Sequence, residues 1–184
     1  MKIIGISGSL RSGSLNTHLL ETVGELLPDG VEFEIVSIAD LPLYNSDLDG
    51  DERPPAVETF RAAVTGADGV FIASPEYNYS ISGALKNAID WASRPGYQSP
   101  FRDKPVTMGA VSAGFVGGAR GLQHLKGTLL GLVAQVHPWP EFLVGGGFGK
   151  FDENGRFTDE KGREFLQALV DDFLVWIERV SVKK

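Results

Sequence analysis

The stretch KIIGISGSLRSGSLNT, residues 2–17, indicates the fold class of the chain. Its first part, Lys2–Ser7, is β-rich and nearly unbroken in its apolar character, as expected for a parallel strand buried on both faces. A polar loop rich in serine follows and leads directly into a helical pattern over residues 17–27, which stops at Pro28 and Gly30. A buried strand, a polar loop and an amphipathic helix form the first unit of an α/β protein.

The same order of strand and helix continues along the chain. Further strands are predicted at residues 32–38, 69–74, 106–112 and 142–144, and further helices at residues 57–67, 84–93, 119–133 and 159–180. The second strand alternates apolar and charged residues, which places it at a sheet edge. The pattern predicts a single domain over residues 1–184, a doubly wound five-stranded parallel sheet with helices on both faces. Lys183 and Lys184 are expected to form a frayed tail.

Composition narrows the classes of function. The net charge of −7 opposes nucleic-acid binding, because proteins that bind nucleic acid need a cationic surface. No apolar run approaches the roughly 20 residues that span a bilayer, and the start does not resemble a signal peptide, so a cytoplasmic protein without a membrane partner is expected. The absence of cysteine excludes disulfides and thiol catalysis. Redox chemistry would therefore need a cofactor.

The loop after the first strand has the composition of an anion site. It contains Ser9, Arg11, Ser14, Asn16 and Thr17, immediately before and at a helix N-terminus. Free N–H groups, hydroxyls and a guanidinium suit a phosphate, whereas helix capping alone would need fewer polar residues. The loop lacks the lysine of a P-loop and the spacing of dinucleotide-binding and hydrolase motifs. It therefore predicts a terminal phosphate monoester bound without metal.

The loop after the third strand is aromatic. It contains Pro75, Glu76, Tyr77 and Asn78, followed by a second tyrosine, Tyr79. Two tyrosines among amide and backbone groups suit a flat heteroaromatic ring, on which they would stack and whose edge they would hydrogen-bond. The alternative is a loop that only plugs the end of the sheet.

The loop after the fourth strand is rich in glycine. It begins with Ser112, Ala113 and Gly114, and its glycines allow the backbone to approach a planar ligand closely. In a doubly wound sheet the three loops meet beyond the carboxyl ends of the strands. A ligand with a phosphate tail and a flat polar ring would satisfy all three, and FMN is such a ligand.

These loops also resemble the NADPH-dependent FMN reductase family. The family motif G-S-L-R-x-x-S-x-N is present from Gly8 to Asn16, P-E-Y-N-x-S-x-x-G-x-L-K-N-A-I-D-W from Pro75 to Trp91, and S-x-G-x-x-G-G-x-R from Ser112 to Arg120. The resemblance covers nearly the whole chain. It implies a flavodoxin-like fold, bound FMN, and electron transfer from NADPH or NADH to a quinone, an azo compound, a chromate-like oxyanion or free flavin.

The resemblance also implies roles for individual residues. The FMN phosphate would be held by Ser9, Arg11, Ser14, Asn16 and Thr17. The isoalloxazine would be lined by Pro75, Glu76, Tyr77 and Asn78, mainly through backbone groups, and touched on its other side by Ser112, Ala113 and Gly114. No catalytic side chain is required, because the flavin itself carries the hydride, and the histidines lack metal-ligand spacing, so no metal is predicted. Family members are commonly homodimers or homotetramers, and residues 97–103 vary among them.

Two other functions fit the same residues. A flavodoxin-like electron carrier without turnover of its own would need to stabilise the one-electron reduced flavin, which carriers do with a small, often glycine-containing peptide. The corresponding segment here, Pro75-Glu76-Tyr77, is stiffer and favours two-electron chemistry. A sugar-phosphate- or nucleotide-binding regulator would share only the fold.

Overall fold

The computed structural model describes residues 1–181, and the tail expected at Lys183 and Lys184 lies outside them. Its strands are β1 (Lys2–Ser7), β2 (Glu32–Val36), β3 (Gly69–Ala73), β4 (Pro105–Val111), β5 (Gln135–Val136) and β6 (Phe142–Val144). Its helices are α1 (Leu15–Leu26), α2 (Pro55–Gly66), α3 (Gly83–Ala92), α4 (Ala119–Gly131) and α5 (Glu160–Ser181). Short 3-10 turns lie at Ser46–Leu48 and Gly147–Gly149.

The strands form one parallel sheet in the order β2-β1-β3-β4-β5, with β6 also paired to β4. This is the flavodoxin-like strand order, and it confirms the predicted fold class. The second strand lies at an edge, as its alternating pattern predicted.

The last strand departs from the prediction because it is divided into two pieces. β5, which was not predicted, pairs with Pro105 and Val106 at the start of β4, and β6 pairs with residues 109–111 at its end. Pro138 and Pro140 lie between the two pieces. Proline has no N–H to donate to the sheet, which accounts for the interruption.

Helices cover both faces of the sheet. On one face, apolar side chains of α2, α3 and α4 pack against the strands, and on the other face those of α1 and α5 do so. Strand β3 shows how one strand supplies both cores, because Val70 and Ile72 belong to the first and Phe71 and Ala73 to the second. Within residues 1–181, none of the helices combines the length and apolar character that crossing a bilayer requires.

The topology brings three helix N-termini to one edge. Helices α1, α3 and α4 follow β1, β3 and β4 along the chain, and parallel strands end at the same edge of the sheet. The three loops singled out in the sequence therefore lie side by side. Gly8 shows how closely they pack, since a Cβ added there would lie 2.9 Å from Cδ of Pro75 in the neighbouring loop.

Candidate functional site

Two of the three helix N-termini at this edge have partners within the protein. At α3, Ser82 Oγ accepts a hydrogen bond from the Leu85 N–H (3.0 Å) and donates one to the Gly8 carbonyl (2.5 Å). At α4, the Glu76 carboxylate accepts from the backbone N–H groups of Arg120 (3.0 Å) and Gly121 (3.2 Å). These contacts use the helix-terminal N–H groups and also tie the neighbouring loops together.

The N-terminus of α1 is different because it lacks such a partner. Ser14 is its N-cap residue and is 2% exposed, yet its hydroxyl makes no capping hydrogen bond. Among residues 1–181, no side chain accepts a hydrogen bond from the backbone N–H of Leu15, Asn16 or Thr17. A helix N-terminus with free N–H groups carries a partial positive charge and favours an anion.

The cationic side chain beside this N-terminus is also free of carboxylate partners. Arg11 is exposed, and its Nη2 donates only a long hydrogen bond (3.4 Å) to the Gly13 carbonyl. Within the described part of the chain it forms no ion pair. Its backbone N–H is held by Ser9 Oγ at 3.4 Å. Ser9, Arg11 and Ser14 line a single cavity, so the polar end of the predicted site is assembled.

Two residues predicted to hold the phosphate have other partners for their side chains. The Asn16 amide exchanges two hydrogen bonds, each 3.0 Å, with the backbone of Val111 at the end of β4. The Thr17 hydroxyl donates to Ser7 Oγ at 2.8 Å. Asn16 still lines the cavity, whereas Thr17 does not. Both side chains brace the loop, which leaves their backbone N–H groups, in the first turn of α1, as the groups open to an anion.

The other end of the cavity contains the residues predicted to line a ring. Its lining includes Pro75, Glu76 and Tyr77 from one loop and Ser112 and Ala113 from the next. Tyr77 is 50% exposed and stands at the rim. The Glu76 carboxylate accepts hydrogen bonds from the N-terminal N–H groups of α4, so its negative charge is directed toward that helix.

The remaining predicted residues do not line the cavity. Asn78 and Tyr79 have positive φ angles (49° and 69°) and form a tight turn closed by two backbone hydrogen bonds between Tyr77 and Ser80 (2.9 and 3.1 Å). The Tyr79 ring packs on the Arg120 guanidinium (4.7 Å). The predicted pair of ring-binding tyrosines is thereby reduced to Tyr77. Gly114 also lies outside the lining and bonds to the Ser112 hydroxyl instead.

A fourth loop, which sequence reasoning missed, completes the wall. Phe148 lines the cavity from the 3-10 turn Gly147–Gly149 that follows β6. A Cβ at Gly147 would lie 2.6 Å from Val111 Cγ1 and 2.9 Å from Leu15 Cδ1, so a larger residue there would displace side chains of β4 and α1. A glycine-rich stretch directly after a strand was the signal in the sequence, the same signal that identified the loop after β4.

The arrangement has a cationic, hydroxyl-rich end and an end that contains Tyr77 within one cavity. Its donors are N–H groups, hydroxyls and a guanidinium, which suit a phosphate. Its opposite end suits a planar ring. The residues present therefore fit FMN, and the outcome agrees with the ligand predicted from the three loops.

Comparison with known proteins points the same way. A family model described as NADPH-dependent FMN reductase matches residues 1–149. The chain is 46% identical to an NAD(P)H-dependent FMN reductase of Pseudomonas aeruginosa, across 98% of this chain and 97% of that protein. It is 37% identical to a 2-hydroxy-1,4-benzoquinone reductase of a Burkholderia species, with 96% of each chain covered.

The fold is shared with a solved flavoenzyme. The NAD(P)H:(acceptor) oxidoreductase FerB of Paracoccus denitrificans superposes with a TM-score of 0.88 at 37% identity, and 97% of each chain is covered. The chain therefore belongs to the NADPH-dependent FMN reductase family and is an FMN-containing oxidoreductase that uses NAD(P)H.

Proposed function

We propose that this protein passes electrons from NADPH or NADH, by way of bound FMN, to a quinone. The observation that carries the proposal is the open N-terminus of α1 beside Arg11, in the same cavity as Pro75 and Tyr77. Relatives named for quinone reduction support the choice of acceptor, including an Escherichia coli quinone reductase that is 40% identical over 185 residues.

Each end of the cavity has a distinct task in this proposal. Arg11, the Ser14 hydroxyl and the first-turn N–H groups of α1 would hold the phosphate, with Ser9 and Asn16 setting the shape of the loop. Pro75, Glu76 and Tyr77, with Ser112 and Ala113, would line the ring. When bound, FMN supplies reversible hydride chemistry, so the residues around it bind, orient and exclude water rather than react.

The geometry of the 75–80 segment supports an enzyme rather than a one-electron carrier. The Glu76 carboxylate is hydrogen-bonded to α4, and Tyr77 and Ser80 exchange both backbone hydrogen bonds. Such a segment resists the peptide rearrangement by which carriers stabilise a one-electron reduced flavin. The comparisons name reductases, so the electron-carrier alternative is not favoured.

Turnover is expected to be ping-pong. Tyr77 and Phe148 line the candidate FMN cavity, and we expect it to leave one face of the flavin ring accessible, which two planar substrates cannot occupy together. The oxidised nicotinamide must then leave before the acceptor enters. Steady-state oxidation of NADPH and of NADH with varied benzoquinone tests this, because ping-pong turnover gives parallel double-reciprocal lines. Intersecting lines, or no oxidation of either nicotinamide, would contradict the proposal.

Azo compounds, chromate and free flavin are proposed as secondary acceptors. The same site would reduce them, but the side chains of Pro75, Tyr77 and Ala113 in its lining suit a planar, uncharged ring best. We expect kcat/KM to be highest for a quinone when the four acceptor classes are compared with one enzyme preparation. A higher kcat/KM for chromate than for a quinone would contradict this preference and would indicate that the acceptor binds at an anion site.

We also propose a homodimer or homotetramer. Trp91 and Phe101 are fully buried within the protomer, so they cannot supply the contact. Exposed aromatic side chains remain available for the contact, namely Tyr79 (67%) and Tyr97 (73%). Light scattering should give a multiple of 19.8 kDa, and a monomer mass at micromolar concentration would contradict this part. The single domain and the cytoplasmic location stay predictions.

A further inference from the structure

We infer that Phe148 is a positioning residue that holds Arg11 over the phosphate end of the cavity and so governs how long FMN stays bound. The inference rests on the proposed function, because it takes the phosphate to lie between Arg11 and the N-terminus of α1. It concerns a residue outside the three motifs from which the site was predicted.

The backbone next to Phe148 is hydrogen-bonded to the loop that follows β4. Gly147 N–H donates to the Ser112 carbonyl (2.9 Å), and Gly146 N–H donates to the Gly114 carbonyl (3.2 Å). The 3-10 turn is closed by the Lys150 N–H on the Gly147 carbonyl (3.0 Å). The backbone at residue 148 is therefore fixed by the fold and is not carried on a loose loop.

The ring itself is left exposed beside a cation. Phe148 is 64% exposed although it lines the cavity, and the Arg11 guanidinium carbon lies 6.0 Å from its ring centroid. This is the outer limit of a cation–π contact. Within residues 1–181 the guanidinium has no carboxylate to orient it, and the ring and the long hydrogen bond to the Gly13 carbonyl (3.4 Å) are the contacts that restrict where it points.

The arrangement acts on a phosphate in two ways. The ring face attracts the guanidinium and keeps it beside the open end of α1. The ring also shields that side of the guanidinium from water, which strengthens a charge-assisted hydrogen bond to an anion. Removing the ring would leave Arg11 present but mobile and solvated, so the phosphate would be released faster. Riboflavin, which lacks the phosphate, would be affected little.

The test compares flavin release from wild type, Phe148→Ala, Phe148→Tyr and Phe115→Ala. The Phe115 variant is the matched control, because that ring is 99% exposed on the neighbouring loop and does not line the cavity. FMN-loaded proteins are diluted rapidly, and the rate at which free-flavin fluorescence appears is recorded. Dissociation constants for FMN and riboflavin are measured in parallel on the FMN-free proteins.

We expect Phe148→Ala to release FMN about three- to tenfold faster, the range that a cation–π contact of moderate strength implies. Phe148→Tyr and Phe115→Ala should match wild type, and the riboflavin dissociation constant should be unchanged in all four. An unchanged release rate in Phe148→Ala would overturn the inference, and so would an equal loss of riboflavin and FMN binding. If wild type itself does not distinguish FMN from riboflavin, the proposed phosphate site fails instead, so the two failures are separable.

Discussion

Helices α1 and α3 both begin with a buried serine at the same edge of the sheet, but the two serines are used differently. Ser82 is 2% exposed and caps α3 while also bonding to the loop after β1. Ser14 is equally buried and makes no capping hydrogen bond at α1. A polar group that the fold does not use, at an open helix N-terminus, is available to a ligand.

The contrast shows that the polar content of a loop does not identify its ligand-binding side chains. Asn16 and Thr17 lie in the same loop as Ser14, and their side chains hold Val111 and Ser7. Their removal should damage the fold, whereas removal of Arg11 or the Ser14 hydroxyl should damage binding. Substitutions at these positions therefore test which side chains support the fold and which bind the ligand.

The largest effect is expected for Asn16→Ala. This change leaves the buried N–H and C=O of Val111 without partners, and each unsatisfied group costs about 1–3 kcal/mol, so the free energy of unfolding should fall by about 2–4 kcal/mol. Urea unfolding of the FMN-free protein measures it, with Asn154→Ala on an exposed turn as control. Wild-type stability in Asn16→Ala would mean that the two hydrogen bonds do not brace the site.

Arg11→Ala should weaken FMN binding with little change in stability. A charge-assisted hydrogen bond contributes about 1.5–3 kcal/mol, which corresponds to about ten- to a hundredfold in the dissociation constant. Arg156→Ala is the control, because Arg156 is exposed and does not line the cavity. Calorimetric titration with FMN measures the dissociation constant. An unchanged value would show that the Arg11 side chain points to solvent and does not bind the phosphate.

Alanine substitution of the two serines should affect different properties, stability for Ser82 and FMN binding for Ser14. Ser82→Ala removes a cap and is expected to lower the free energy of unfolding by about 1–2 kcal/mol. Ser14→Ala should leave stability within about 0.5 kcal/mol and weaken FMN binding by about three- to tenfold, because one neutral hydrogen bond is lost. Urea unfolding and calorimetric titration with FMN, each carried out on both variants, test this difference. A large stability loss in Ser14→Ala would erase the distinction.

The smallest effect is expected for a buried polar group away from this edge. His137 is fully buried, with Nε2 2.8 Å from Asp172 and Nδ1 3.2 Å from the Thr107 hydroxyl. Burial lowers its pKa, and Asp172 only partly opposes this. The unfolded chain therefore binds a proton more readily than the folded one, so stability should fall as pH drops below about 6.5.

His137→Gln removes this titration and serves as the comparison. Between pH 7 and pH 5, wild type should lose more stability in urea unfolding than the variant does. If wild type gains stability relative to the variant on acidification, the pKa of His137 is raised rather than lowered, and Asp172 dominates its environment.

Much of the fold was predictable because burial leaves a direct mark on the sequence. Strands β1, β3 and β4 are nearly unbroken apolar runs, and each predicted helix boundary lies within two residues of the observed one. Strand β5 was missed because Gln135–Val136 has no periodicity and is followed by Pro138. Short strands at an interrupted edge exist only through their pairing with a partner.

The site was predictable in its location but not in its details. Loop composition and the rule that loops meet at the carboxyl edge were enough to place Ser9, Arg11 and Ser14 with Pro75 and Tyr77. The hydrogen bonding of the Asn16 side chain to Val111 could not be predicted, because Val111 is 95 positions away in the sequence. Such a contact depends on tertiary packing, which local pattern does not encode.

Whether Arg11 and the N-terminus of α1 bind the FMN phosphate is tested most directly by two dissociation constants, one for riboflavin and one for FMN. Both are measured by titrating the FMN-free wild-type protein, and their ratio is compared. The two ligands differ only in the phosphate, so the ratio isolates what the N-terminus of α1 and Arg11 contribute. We expect FMN to bind at least about tenfold more tightly, since charge-assisted hydrogen bonds to a phosphate are worth about 1.5–3 kcal/mol. Equal affinities would contradict the account and show that the loop is structural.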